Sequence, residues 1–245
     1  PVPLATDLVP GLVRIGWDAD SPLAAAMEMK AAELKLEFDE TIWPRLTEAF
    51  GALGDGSRIL ILLDVRSGPS YEDSADCNLA RIWLRRYEPY TFAHELTHAL
   101  LDLNFSNSAC NQDEKLWMHE ATATWAQHHV YPEENEGFEH HTAPLFLRHP
   151  ERSLDTHDRT TRSPAYGAYL WFLRMAGRDD NSAVVRDTWN SSGGVTSLAG
   201  IDAELRSLGR GGFEKDWPLF AADNWNRHAP HRKYYEWDRM NHKPP

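Results

Sequence analysis

The sequence predicts an α+β fold, because its two clear strand signals fall before residue 86, helical periodicity takes over from Tyr90, and strict strand–helix alternation is missing. No internal repeat of roughly 20–50 residues is visible, which excludes solenoids and propellers. With 245 residues, 42% hydrophobic and 25% charged, the chain can bury a full core and has no disordered or fibrous bias. One domain over 1–245 is expected, folded as a sheet-containing lobe, 1–105, and a mainly helical lobe, 106–245.

The elements follow in order. Ser21-Pro22 caps an amphipathic helix from Leu23 to Phe50, kinked at Pro44 and stopped by Gly51. Arg58–Val65 and Asn78–Arg85 are short β-rich runs and read as strands of a small sheet. A helix is expected over Thr91–Leu103 and another over Asp113–Tyr131. The stretch after Pro132, rich in Glu, His and Pro to about Arg162, reads as a long irregular loop or cleft wall. Helices resume from Ser163 to Gly177, Ser182 to Asn190, Asp202 to Leu208 and Phe213 to Trp225.

The formal net charge of -12 argues against phosphate-backbone binding, so nucleic acid is not an expected partner. No apolar run of about 18 residues exists to span a bilayer. Pro1-Val2-Pro3 has neither a Met nor the regions of a signal peptide, so the chain reads as processed or cut from something longer. Cys77 and Cys110 are the two cysteines and neither belongs to a CxxC pair. A Cys77–Cys110 disulfide is one reading and implies an extracytoplasmic, secreted location; two separate buried thiols is the other.

The chemistry concentrates in His94-Glu95-Leu96-Thr97-His98. This H-E-x-x-H pattern puts residues i and i+4 on one helix face, where two imidazoles converge on a metal and the intervening Glu95 reaches its water. By composition alone, about 0.04 such matches arise per shuffled chain, so the motif needs support. Support comes from its position on an expected helix after two strands, and from an acidic residue downstream in a helix, Glu120.

Trp117-Met-His-Glu120-Ala-Thr-Ala-Thr-Trp125 resembles the glutamate helix of the gluzincins, the thermolysin and aminopeptidase kind of zinc peptidase. The resemblance implies a zincin-like fold, with a small mixed sheet whose edge strand packs on the H-E-x-x-H helix. It also implies one catalytic Zn2+ held by His94, His98 and Glu120, with Glu95 as general base. The implied activity is hydrolysis of peptide bonds in a peptide or protein substrate. Internal bonds are favoured, since no motif like the one that captures a free substrate amine is present. The small Ala121 and Ala123 suit close packing of a ligand-bearing helix.

Tyr166-Gly-Ala-Tyr-Leu-Trp-Phe-Leu resembles a downstream helix of these peptidases whose Tyr donates to the oxyanion, which nominates Tyr166; packing as a cleft-wall aromatic is its competing role. The resemblance covers about Arg58 to Gly177. The chain departs from it at Thr124, where thermolysin-like enzymes place an Asp, and Asp102 is the nominated substitute for orienting a ligand. Leu101 and Asn104 stand where a metzincin needs Gly and His. An aspzincin would use Asp102 or Asp113. His149 or His157 could also stabilise a transition state, and Glu133, Glu134 and Glu136 read as a solvated run. Strand Asn78–Arg85, with Trp83, is the expected edge for an extended peptide. Two alternatives remain: a catalytically silent zincin-like binding module, and a coincidental motif.

Overall fold

The computed structural model describes residues 4–64, 69–76, 78–85, 87–105, 113–132, 138–147, 149, 152–155 and 163–225. Cys77, Cys110, His157 and the Glu133–Glu136 run lie outside the described residues. The chain divides into two compact units, Pro1–Ser106 and Asn107–Pro245.

The first unit is built on five strands, β1 (Leu4–Val9), β2 (Val13–Trp17), β3 (Arg58–Leu63), β4 (Tyr71–Asp76) and β5 (Leu79–Leu84). They lie in the order β1-β2-β3-β5-β4, a mixed sheet with β2, β3 and β5 parallel and both outer strands antiparallel. Alternation within β3 and β5 sets one face, because Ile59, Ile61, Leu63, Ala80, Ile82 and Leu84 are buried while their neighbours are half-buried or exposed. The register adds Val13 opposite Ile59 and Ile15 opposite Ile61.

The edge beside β5 is not β5 itself, as the sequence suggested, but β4, whose Tyr71 stands opposite Trp83 and stacks on it with ring centroids 4.9 Å apart. Its composition, Tyr-Glu-Asp-Ser-Ala-Asp, carries no apolar alternation, and that hides an edge strand from pattern reading.

The expected helix over 23–50 is interrupted. α1 (Ala24–Glu37) runs into a π turn, Phe38–Ile42, before α2 (Trp43–Phe50) resumes. The widened turn lies just ahead of Pro44, whose ring would strike the carbonyl one turn back and which supplies no N–H. α3 (Pro89–Asn104) starts with proline at its first turn, after an extended Glu88. Phe38 stacks with Phe92 at 6.1 Å, tying the π turn to the start of α3, and α3 packs on β4 and β5. Every residue of α3 from Phe92 to Leu103 is buried, so its polar side chains sit inside the protein.

The second unit is helical among its described residues: α4 (Leu116–Val130), α5 (Phe138–Leu147), α6 (Ser163–Gly167), α7 (Tyr169–Asp179), α8 (Ala183–Ser191), α9 (Ser197–Ser207) and α10 (Phe213–Trp225). α5 occupies part of the stretch expected to be irregular, and Pro144 within it explains why no helix was legible there. The single helix expected over 163–177 is two, broken at Ala168. Arg174 donates to Asp216 at 2.6 Å and to Asp223 at 2.9 Å, joining α7 to α10 through a pair that is almost fully buried.

Candidate metal centre

The helical rise of α3 brings His94 and His98 onto one face, one turn apart. Their Nε2 atoms stand 3.2 Å from each other, with rings nearly perpendicular and centroids 4.8 Å apart. Two imidazole nitrogens bound at about 2.0–2.1 Å in a tetrahedral zinc site are separated by about 3.3–3.4 Å. The pair is therefore spaced as ligands of one small cation, while the buried helix holds both rings. Glu95 and Asp102 are buried on the same helix, Asp102 one turn beyond His98, and Thr97 donates to the carbonyl of Ala93 at 2.7 Å.

Glu120 is half-buried on α4 in the second unit, and its own carbonyl accepts from Thr124 Oγ1 at 2.8 Å. Thr124, in the place of the expected Asp, thus serves its own helix. α4 is fixed from several sides. Trp117 Nε1 donates to Ser197 Oγ at 2.9 Å, and Trp189 Nε1 to Thr122 Oγ1 at 3.1 Å. Ahead of the helix, the 3-10 turn Asp113–Lys115 adds two anchors that the sequence did not disclose. Lys115 Nζ donates to the Ser192 carbonyl at 2.7 Å, and the Glu114 carboxylate accepts from the Ser197 amide at 3.0 Å. Burial holds the Lys115 ammonium below its ordinary pKa, with Glu114 acting in the opposite direction. Partners some eighty residues apart give no local signal, so these ties were not readable.

Tyr166 is half-buried on α6, a single helical turn packed against α4 and α5. Its neighbour Gly167 makes that contact feasible, because a Cβ there would collide with the carbonyl of Thr142 and with Cβ of Phe146. Gly167→Ala is expected to cost about 1–3 kcal/mol by overpacking. Chemical denaturation of the two proteins measures it; equal midpoints would show that α5 and α6 part without cost.

His149, nominated for the transition state, is exposed. His128 is buried on α4, and His129 stacks on Trp125 at 5.0 Å, which gives this pair a packing role.

No protein-family model and no curated protein matches the chain. Among solved structures it is similar to an M1 zinc metallopeptidase from Deinococcus radiodurans, with TM-score 0.54 and 16% identity. The fold is shared with a zinc metallopeptidase. A point mutant of the same enzyme bound to a Tyr-Ser-Ala substrate aligns with TM-score 0.51 and 13% identity. The match to the first takes in 99% of this chain and 51% of that one, so the chain spans about half the length of the solved structures it resembles. No helix among the described residues is long and apolar enough to cross a membrane.

Proposed function

We propose that this chain is a zinc-dependent peptidase whose catalytic domain holds one Zn2+ through His94, His98 and Glu120. The observation that carries the reading is the 3.2 Å separation of the two imidazole Nε2 atoms on a buried helix. The donor set fits zinc: two neutral imidazoles and one carboxylate, with a fourth position open for water or substrate. The shared fold and the peptide held by the mutant neighbour support a peptide as substrate.

A zinc ion held there would polarise a carbonyl and lower the pKa of a water near neutrality. Glu95, next to His94 on α3, takes a proton from the attacking water and returns it to the leaving amine. Tyr166 donates its hydroxyl to the developing oxyanion. The reading favours cleavage of internal bonds, so peptides with blocked and with free N-termini are expected to be cleaved equally; strict dependence on a free amine would reverse it.

The direct test of the whole reading is elemental analysis of purified protein together with casein cleavage, with and without chelator. One zinc per chain and chelator-sensitive cleavage are expected. No bound zinc after incubation with the metal leaves the motif a coincidence, and zinc without cleavage of any peptide favours a silent binding module. Tyr166→Phe separates the two roles of that residue. A donor to the oxyanion predicts a fall in kcat of about 10²–10³ with KM nearly unchanged, whereas a packed aromatic predicts no kinetic change and a loss of stability.

The secreted location belongs to the same proposal and rests on Cys77 pairing with Cys110. Thiol titration of the denatured, unreduced protein is then expected to find no reactive thiol; two thiols per chain remove the argument for export. A bridge over that loop contributes about 3–4 kcal/mol in the chain-entropy account.

A further inference from the structure

α1 is apolar on two opposite sides. Met27, Ala31 and Leu34 are buried against the first unit, which accounts for one side. The other side carries Ala25, Met29, Ala32 and Leu36, all exposed, with Met29 at 66% and Leu36 at 59% relative exposure. At 100° per residue these four fall within about 60° of one another and directly opposite the buried set. Their spacing of four, three and four residues is that of a coiled-coil seam, whereas a surface helix normally turns charge to that side. The charged residues stand at the flanks, where Lys30 pairs with Glu33 at 2.7 Å and Lys35 with Asp39 at 2.7 Å, leaving the stripe bare.

We propose that this stripe docks against the same stripe of a second copy of the chain, with the two α1 helices antiparallel. Size and charge select that occupant. In an antiparallel pairing the large Leu36 and Met29 fall opposite the small Ala25 and Ala32 of the other copy, so each layer holds one large and one small residue. Glu28 and Lys35 line one flank of the stripe, and antiparallel pairing sets Glu28 of each copy near Lys35 of the other. Parallel pairing would instead bring that flank against the opposite one, setting Glu28 of each copy beside Glu33 of the other. One 14-residue helix is a short interface, so the association is weak, at the low end of specific contacts.

Sedimentation velocity of the full chain over a range of concentrations tests this, with circular dichroism as a check on folding. Wild type is expected to dimerise reversibly. Met29→Glu, which changes an exposed residue and leaves the fold intact, is expected to raise the dimer Kd more than tenfold. Lys35→Glu sets two like charges together twice in the symmetric dimer and is expected to raise Kd roughly tenfold. The reversed pair Glu28→Lys with Lys35→Glu is expected to restore wild-type association. A wild type that stays monomeric at hundreds of micromolar overturns the proposal, as does a dimer indifferent to Met29→Glu. Failure of the reversed pair to restore association overturns the antiparallel arrangement. Zinc content and peptide cleavage do not enter these readouts, so the outcome is independent of the catalytic reading.

Discussion

Glu95→Gln is expected to leave one zinc per chain and to reduce kcat for peptide cleavage by about 10²–10⁴, with KM little changed. The substitution keeps the size of a side chain buried on α3 and removes only its capacity to accept and return a proton. Glu95 is not one of the three proposed ligands, so metal content should not change. A fall of that size corresponds to about 3–5 kcal/mol of transition-state stabilisation. The split between the constants is diagnostic, because a group acting only in the transition state lowers kcat and kcat/KM together. Turnover unchanged from wild type would remove Glu95 from the mechanism. Loss of zinc along with turnover would make it a ligand or a structural support and would require another base.

What the sequence disclosed and what it hid divide along physical lines. The strands β3 and β5 and the ends of α3 were legible because alternating and helical apolar periods are local signals. The convergence of His94 and His98 was legible for the same reason, being a consequence of helical pitch alone. β1, β2 and β4 were not, since one is an edge of polar residues and the others form a five- and six-residue pair at the start of the chain. The π turn at Phe38–Ile42 and the break at Ala168 arise where chain geometry departs from the regular period. The anchors of α4 lay beyond reach because Lys115 meets Ser192, and Glu114 meets Ser197, only through tertiary packing. Pattern reading thus finds groups one helical turn apart. It misses the ties that hold the helix carrying Glu120.

Those ties shape the second large effect. Glu120→Ala is expected to abolish stoichiometric zinc and peptide cleavage together, while the protein remains folded. Alanine is the best helix former, and Trp117, Thr122, Lys115 and Glu114 keep their partners, so α4 should persist without the carboxylate. What is lost is the proposed third ligand. Two imidazoles alone leave zinc with half of a tetrahedral set, and affinity should fall by more than the roughly 10–100-fold typical of removing a group that only orients a ligand. Thermal melts with added zinc give a readout free of catalysis. A bound ion at 1,000 times its Kd stabilises the folded state by about 4 kcal/mol, so the wild-type midpoint should rise by several degrees and that of the variant should not. If the variant holds zinc as tightly as wild type, Glu120 is not a ligand, and a different carboxylate must complete the set with His94 and His98. If it loses zinc but also unfolds without added metal, the ion is structural, and Glu95→Gln then decides whether any catalysis depends on this helix pair.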